Sequence, residues 1–471
     1  MTDLGTRSEP ALRRAAPALL GYAAVRALGL LTLALWSGAR DKSAYTLLTA
    51  RWDALWYTRV AELGYGYEVR LPNGDVHSNL AFFPLLPWLE RLLSAVTPLS
   101  YADAGFAVAL LASLAAAWGV FAVTDQVYGR RAGVCAVLLW AVLPVGIVQS
   151  MAYSESLFTA LAAWSLYAVL TGRWVTAGLL ASLAGLTRPV GLAVVAAVWV
   201  AAIAAHLSDR RARIRAQSTS EPAAPPLWGP ASTPRRGDAE NTRSSGFGGR
   251  CSPADSSFER SRSTAGASGA PDVAHAPTGR TPSSTTERVA DTAGAPDPAR
   301  APADRPSPRR ALGMALAPLG TAAYVLWVGH RTGKGPLGYL DVQAGWRNGF
   351  DGGYAFARFV AAKFTSFPSA LAGIGLIVGV GLVVWLYVVC ARQGQPLPLL
   401  VYAGVVTALA LCASSYFGSK PRLLMPAFPL LLPLALALAR SRTRRSAALL
   451  TLIATASALY GAFWLNGSGP P

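Results

Sequence analysis

The sequence predicts an all-α polytopic membrane protein with roughly eleven transmembrane helices. Hydrophobic residues make up 53% of the 471 residues and charged residues only 14%, which is too apolar for an ordinary soluble enzyme. Crossing a bilayer requires about 20 mostly apolar residues, and runs of this kind recur along the chain. The runs lie at 16–36, 102–124, 132–149, 155–171, 175–187, 190–207, 311–329, 369–391, 397–414, 423–440 and 446–464.

The fifth and sixth runs leave two interpretations open. The run at 175–187 is short for a full crossing, and just Arg188 and Pro189 separate it from the run at 190–207. The pair is therefore either two spans or one broken helix.

Basic residues predict the orientation of the chain, because Lys and Arg are enriched in cytoplasmic loops. With a cytoplasmic N-terminus, the basic segments all fall on the cytoplasmic side and the C-terminus lies outside. These segments are Arg13 and Arg14, Arg130 and Arg131, Arg173, residues 210–310, Arg392 and residues 440–445. The net charge of +18 is then explained by topology and by attraction to anionic headgroups. We therefore expect membrane lipids as partners and no nucleic acid.

The apolar stretch at 79–97 fits this topology if it does not cross the membrane. Four residues interrupt the stretch, namely Pro84, Pro87, Glu90 and Arg91. Its apolar side would consist of Phe82, Phe83, Leu86 and Trp88. Such a segment is suited to the membrane interface, and we predict an interfacial helix that rests on the outer leaflet.

Residues 208–310 have a different composition, rich in Ala, Pro, Ser, Thr, Arg and Asp with few large apolar side chains. A segment of this kind cannot bury enough surface to offset the entropy of ordering. We predict a disordered cytoplasmic insert between an N-terminal transmembrane half, residues 1–207, and a C-terminal transmembrane half, residues 311–471.

Polar residues concentrate in the predicted outer segments at 37–101 and 330–368 and in the outer turns at 150–154, 188–189 and 415–422. This distribution favours catalysis at the membrane surface over transport, because transporters place ionisable groups near the bilayer midplane. We expect the segment 37–101 to be the catalytic loop. The sequence contains no D-x-D pair, P-loop or zinc-type cysteine spacing, so we expect no metal and no cofactor.

Asp53 is the candidate catalytic residue. It stands where a helix would begin, with Trp52 and Trp56 on one side of that helix and Tyr57 four residues later. A carboxylate at a helix N-terminus stays ionised and can accept a proton from a sugar hydroxyl. The alternative is that Asp53 caps the helix. The three aromatic side chains are candidate substrate-binding residues.

Two further outer segments contribute candidate substrate-binding residues. His77 and Asn79 follow in the first outer segment, where His77 either bonds substrate or is solvated. Tyr153 and Glu155 lie in the next outer turn. Glu155 can bind sugar hydroxyls or orient a cationic partner, and the alternative is an ordinary helix start.

Three basic residues at outer span boundaries are candidates for binding a donor phosphate. Arg188 lies in one outer turn, and Lys420 and Arg422 lie in the last one. Positive residues are disfavoured outside, so an anion should balance them, and a guanidinium offers planar multiple donors to phosphate. The alternative is that their side chains snorkel to headgroups.

Several of these segments resemble the PIG-V mannosyltransferases, which add the second mannose in GPI-anchor assembly, and their bacterial relatives. The similarity lies in RWDALWYTRVAELGY at 51–65, SNLAFFPLLP at 78–87, SMAYSESLF at 150–158 and GLTRPVG at 185–191. A weaker similarity in YLDVQAGW at 339–346 adds Gln343 and Trp346 as candidate substrate-binding residues.

This resemblance implies a GT-C bundle with a catalytic first outer loop and interfacial helices. It implies a polyprenyl-phosphate-mannose donor, inversion at the anomeric carbon and no metal. By the same resemblance Asp53 is the general base, and Glu155 and Arg188 match motif positions. Pro189 and Val190 depart from the usual eukaryotic Ser-Asn, and the insert is foreign to the family.

The acceptor and three other functions stay open. Richness in Ala, Arg and Pro is typical of a high-GC bacterial genome, so we expect a bacterial plasma membrane and an acceptor that is a glycolipid, a glycan or a protein. The alternatives are a GT-C transferase for another lipid-linked sugar, a lipid-linked-sugar transporter or flippase, and a non-catalytic scaffold.

Overall fold

The computed structural model describes residues 10–220, 307–414 and 416–467, with side chains given up to 216 in the first of these ranges. Within them the protein is helical apart from one small hairpin and connecting turns, as expected for an all-α polytopic membrane protein. Residues 208–220 continue a helix, and residues 308–310 begin another one. Residues 221–306 of the predicted insert lie outside the described part of the chain.

The first part of the chain contains a series of helices joined by short turns. They are α1 (Ala11–Gly38), α2 (Ala44–Thr49), α3 (Asp53–Leu63), α4 (Leu85–Val96), α5 (Tyr101–Tyr128), α6 (Arg130–Ala141), α7 (Ser154–Leu170), α8 (Trp174–Gly185) and α9 (Leu192–Ser220). Between α3 and α4, strand β1 (Glu68–Arg70) pairs antiparallel with β2 (Val76–Ser78), and Val69 lies opposite His77.

The second part continues the same pattern. Its helices are α10 (Pro308–Leu316), α11 (Leu319–Thr332), α12 (Gly338–Gly345), α13 (Tyr354–Ala362), α14 (Ser369–Arg392), α15 (Leu397–Cys412), α16 (Lys420–Leu424), α17 (Leu432–Arg440) and α18 (Thr443–Leu465).

Among the described residues, six helical segments are long and apolar enough to cross a membrane. They are α1, α5, α14, α18 and the segments Pro189–Ala216 and Pro308–Thr332. A seventh span results if the bent pair Phe417–Leu424 and Phe428–Arg440 is counted as one, and α7, α8 and α15 are shorter apolar helices. The protein is therefore an integral membrane protein, and each of the eleven apolar runs contains a helix.

Local sequence signals explain where several helices begin and end. The side chain of Ser100 accepts a hydrogen bond from the Asp103 amide and caps α5, and Asp103 complements the helix dipole. Gly129 then adopts φ 85°, which ends α5 and allows α6 to start at the next residue. In the apolar run at 132–149, the α-helix ends at Ala141, and a 3-10 turn follows at Gly146–Ser150.

Two helices meet at the turn that carries Arg188. Helix α8 ends at Gly185, and a 3-10 turn at Pro189–Gly191 leads into α9. A Cβ atom on Gly191 would lie 2.6 Å from the Gly185 Cα, so the turn folds back tightly onto the end of α8. This close approach holds the Arg188 backbone at the junction of the two helices.

Helix α4 shows which side of the predicted interfacial segment is accessible. Phe82, Phe83 and Leu86 are buried in the protein, so the expectation that they lie on the accessible apolar side is wrong, whereas Trp88 is exposed. The exposed apolar stripe consists of Trp88, Leu92 and Val96, which are spaced four residues apart. The physical reason is that α4 packs against α3 and α5, which decides the buried side. Pro84 and Pro87 sit at the start of the helix, where no amide donor is required, and do not interrupt it.

Candidate functional site

Four charged side chains from four separate segments form a cluster. The Arg422 Nη2 atom lies 2.9 Å from Asp53 Oδ2, and Arg422 Nε lies 3.1 Å from Glu155 Oε1. Arg188 forms a second ion pair with the same Glu155 oxygen. Two carboxylates and two guanidinium groups thus neutralise one another, and we call these four residues the charged cluster.

Asp53 is the most accessible member of the charged cluster. Its side chain is 24% exposed, against 15% for Arg188, 9% for Arg422 and 1% for Glu155. Asp53 is the first residue of α3, where the helix dipole favours a carboxylate. It follows Trp52, which adopts φ 53°, a strained conformation for a bulky residue. Asp53 therefore begins α3 directly after a strained residue and pairs there with Arg422.

Glu155 holds the two arginines together. It is the second residue of α7 and is buried, and a buried carboxylate is stable only when it is paired. Because Arg188 and Arg422 both pair with its Oε1 atom, Glu155 offsets the repulsion between the two guanidinium groups. The Arg422 guanidinium also lies over the Tyr153 ring, 5.0 Å from its centroid.

Lys420 lies outside the charged cluster. Its ammonium group donates to the backbone oxygens of Ala410, Leu411 and Ala413 at distances of 2.8, 3.4 and 2.7 Å. These carbonyls belong to the C-terminal end of α15, where backbone acceptors have no partner within the helix. Lys420 is buried and uses its three donors to cap α15.

Tyr57 connects the helix that carries Asp53 to the helix that carries Glu155. Its hydroxyl group lies 2.7 Å from the Ser154 Oγ atom, and both side chains are buried. Burial raises the pKa of the Tyr57 hydroxyl, so it stays protonated at neutral pH. This hydrogen bond joins α3 to the first residue of α7, a contact that only the tertiary structure reveals.

An aromatic surface lies beside Tyr57. The His77 and Trp346 rings stack with centroids 4.0 Å apart, and Trp56 contacts Trp346 edge-on at 4.9 Å. Phe82 lies between the Trp56 and Tyr57 rings, with centroids 5.6 and 5.1 Å away. Phe82 was not among the candidate substrate-binding residues, although it lies in the same motif as Asn79.

The ring positions in this aromatic surface are held by specific interactions. The Trp346 Nε1 atom donates to the Ser78 backbone oxygen at 2.9 Å. Burial lowers the pKa of His77, with a further contribution from Arg347 and an opposing one from Asp75. His77 is therefore neutral at physiological pH and can both donate and accept a hydrogen bond.

Asn79 and Gln343 hold the loops around the site and do not contact the charged cluster. The Asn79 amide accepts from the Gly66 amide at 3.1 Å and donates to the Gly64 oxygen at 3.0 Å. Gln343 donates to the Tyr339 hydroxyl at 2.5 Å and accepts from Asn348 at 2.9 Å. No cluster of His, Cys, Asp or Glu suited to a metal ion is found in the part of the chain that the structure describes.

The sequence of residues 34–218 matches the family described as Mannosyltransferase (PIG-V). The match covers less than half of the chain, and we call residues 34–218 the PIG-V segment. The chain is similar to GPI alpha-1,6-mannosyltransferase 2 of Rattus norvegicus, with 33% identity over 173 residues that cover 33% of this chain and 32% of the relative. The enzyme of the same name from Mus musculus is 32% identical over the same length and the same shares. The chain therefore spans about a third of the length of the curated relatives it matches, and no solved structure matches it.

The PIG-V segment contributes most of the site but not all of it. Asp53, Glu155 and Arg188 lie inside the segment. Arg422 and Trp346 come from the second part of the chain, beyond the matched residues. The fold therefore completes the charged cluster of a PIG-V segment with an arginine that is distant in sequence.

We expect Tyr57→Phe to destabilise the protein by about 1–3 kcal/mol, because Ser154 then loses its buried hydrogen-bond partner. Thermal unfolding in detergent, scanned at one fixed rate, measures the change. Ser154→Ala is the matched variant, and the double variant should cost less than the sum of the two single ones. Strict additivity would show that the Tyr57–Ser154 hydrogen bond does not link α3 to α7.

Proposed function

We propose that the protein is a membrane mannosyltransferase that transfers mannose from a polyprenyl-phosphate-mannose donor to an extracytoplasmic acceptor. The observation that carries this proposal is the charged cluster, in which a partly accessible carboxylate lies beside two buried guanidinium groups in a PIG-V segment. A carboxylate can accept the proton of an acceptor hydroxyl, and guanidinium groups can hold the phosphate of a lipid-linked donor.

Arg188 and Arg422 bind the donor phosphate in this proposal. Guanidinium groups match phosphate oxygens with two parallel donors, and burial strengthens the attraction. Glu155 is a positioning residue, because it holds both arginines from one carboxylate oxygen. Lys420 has its donors committed to α15, so phosphate binding is assigned to the two arginines and not to Lys420.

Asp53 is the general base. The acceptor oxygen attacks the anomeric carbon from the side opposite to the phosphate, so the configuration inverts. The bond between the anomeric carbon and the phosphate oxygen breaks, and its electron pair stays on the lipid phosphate. The acceptor proton goes to the Asp53 carboxylate. Stabilisation of the departing phosphate by the arginines accelerates the reaction more than base catalysis does, and base catalysis adds about 10²- to 10⁴-fold.

The aromatic surface is where we place the acceptor. Trp56 lies one helical turn after Asp53, and the His77 and Trp346 rings join it from β2 and from the end of α12. All three rings are partly accessible, whereas Tyr57 lies buried beneath them. Flat apolar rings beside a neutral imidazole suit the C–H face and the hydroxyl groups of a glycolipid or glycan.

The test uses the full-length protein in lipid vesicles with polyprenyl-phosphate-mannose labelled in the sugar. Membrane extracts supply acceptors and are afterwards separated into glycolipid, polymer and protein fractions. We expect label in one acceptor fraction with the mannosyl donor and little with glucosyl or arabinofuranosyl donors. Transfer confined to another sugar would reject the donor assignment, and label that crosses the vesicle membrane without a new glycosidic bond would reject the transferase.

A further inference from the structure

We propose that Asp53 and the donor phosphate compete for Arg422, so that donor binding releases the base. This inference rests on the proposed function. In the structure, Asp53 is the counter-ion of Arg422, with 2.9 Å between Asp53 Oδ2 and Arg422 Nη2. When the donor enters, its phosphate replaces the Asp53 carboxylate on Arg422, and Asp53 becomes free to receive the acceptor proton. The donor therefore binds before the productive acceptor complex can form.

The geometry of Arg422 favours this exchange. Its guanidinium group is almost fully buried, and its Nη1 atom has no hydrogen-bond partner among the described residues. Nε faces Glu155 and Nη2 faces Asp53. A phosphate that takes the unpaired Nη1 as one donor needs a second donor for a two-point contact. Nη1 and Nη2 are the two terminal nitrogens of the guanidinium group and together can form such a contact. Nη2 is already paired with Asp53.

The charge of the cluster leads to the same conclusion. With Asp53 in place, two positive and two negative groups give a net charge of zero, and a phosphodiester would add an uncompensated negative charge. Without Asp53, the remaining three groups carry one net positive charge, which balances the single negative charge of a sugar phosphodiester. Buried charges are stable only when they are balanced, so one carboxylate has to leave as the phosphate arrives.

Exposure decides which carboxylate leaves. Glu155 is 1% exposed and pairs with both arginines, whereas Asp53 is 24% exposed and pairs with Arg422 alone. Removing Glu155 from its place would leave two guanidinium groups against each other and would bury an unpaired carboxylate. Asp53 can instead turn toward solvent, where water stabilises its charge until the acceptor hydroxyl arrives.

The exchange predicts an unusual effect of Asp53→Asn on donor affinity. Asparagine keeps the size of the side chain but removes the charge that competes with phosphate, so the arginine is available in a larger fraction of molecules. We expect the full-length variant in lipid nanodiscs to bind polyprenyl-phosphate-mannose about 3- to 30-fold more tightly than the wild type when no acceptor is present. Glu62→Gln, which removes an exposed carboxylate from the same helix, should bind the donor like the wild type.

Two further measurements separate the exchange from a general charge effect and from misfolding. In an Arg422→Gln background, Asp53→Asn should tighten donor binding by less than twofold, because the competition requires Arg422. Initial-rate kinetics of the wild type should show compulsory order with the donor first. Donor binding by Asp53→Asn that is unchanged or weaker, equal tightening without Arg422, or random order would each overturn the exchange.

The outcomes for the exchange and for the proposed function can be told apart. If Asp53→Asn abolishes transfer but binds the donor no more tightly, the transferase with Asp53 as base stands and the exchange fails. If the variant binds more tightly and still transfers mannose, the exchange stands and Asp53 is not the base. If the wild-type protein binds the donor but does not transfer mannose, the proposed function is rejected.

Discussion

Asp53→Asn is expected to lower the rate of mannose transfer by about 10²- to 10⁴-fold, because the amide cannot accept the proton of the acceptor hydroxyl. The substitution is close to isosteric, and Asp53 is only partly buried, so the fold should tolerate it. The rate constant for transfer should fall while the concentration of donor for half-maximal rate does not rise. This combination identifies loss of a group that acts in the transition state.

The control for this prediction is Glu62→Gln. Glu62 lies on the same helix as Asp53 and is exposed, so its substitution changes the local charge without touching the charged cluster. Transfer by this variant should equal wild-type transfer at matched protein amounts. If Asp53→Asn retained more than about a tenth of the wild-type rate, general base catalysis, which typically contributes 10²-fold or more, would not be its role.

Glu155→Gln is expected to destabilise the protein by about 3–5 kcal/mol and to abolish detectable donor binding. Glutamine cannot neutralise Arg188 and Arg422, so one buried guanidinium group is left without a counter-charge. The two arginines then repel each other and lose the common partner that holds them as a pair. Thermal unfolding in detergent at a fixed scan rate measures the first effect, and equilibrium binding of polyprenyl-phosphate-mannose measures the second.

Glu90→Gln is the matched control for a buried glutamate. Glu90 lies on α4, and its carboxyl oxygens have no hydrogen-bond partner among the described residues. Burial raises the pKa of Glu90 well above its usual range, which favours the neutral form of this group. Glu90→Gln breaks no ion pair, so it should not destabilise the protein by more than about 1 kcal/mol. Equal losses from Glu155→Gln and Glu90→Gln would show that charge pairing is not what makes Glu155 important.

The pH dependence of the folding stability gives a further check on the Glu90→Gln control. In the unfolded chain the carboxyl ionises near its ordinary pKa, whereas in the folded protein it holds its proton to higher pH. Its contribution to stability is therefore complete below the unfolded pKa and declines as pH rises toward the folded value. Glu90→Gln should remove this part of the pH dependence, and Glu155→Gln should not.

The membrane class and the helices followed directly from the amino-acid sequence. Apolar runs near the length of a bilayer crossing leave a chain few options, because each backbone polar group in lipid must be bonded within a helix. The motif around Asp53 and the motifs that carry Glu155 and Arg188 could also be found without a structure. The side of α4 that faces outward could not, because it depends on the packing of α4 against α3 and α5.

The sequence by itself determined the membrane fold class and the candidate charged residues, but it could not say which of them meet. Lys420 and Arg422 have the same charge, lie two residues apart and were equal candidates for binding phosphate. Only the tertiary structure separates them, with Lys420 on the carbonyls of α15 and Arg422 between Asp53 and Glu155. The physical reason is that residues two apart on a helix point to different sides, so each side chain meets whatever distant segment packs there.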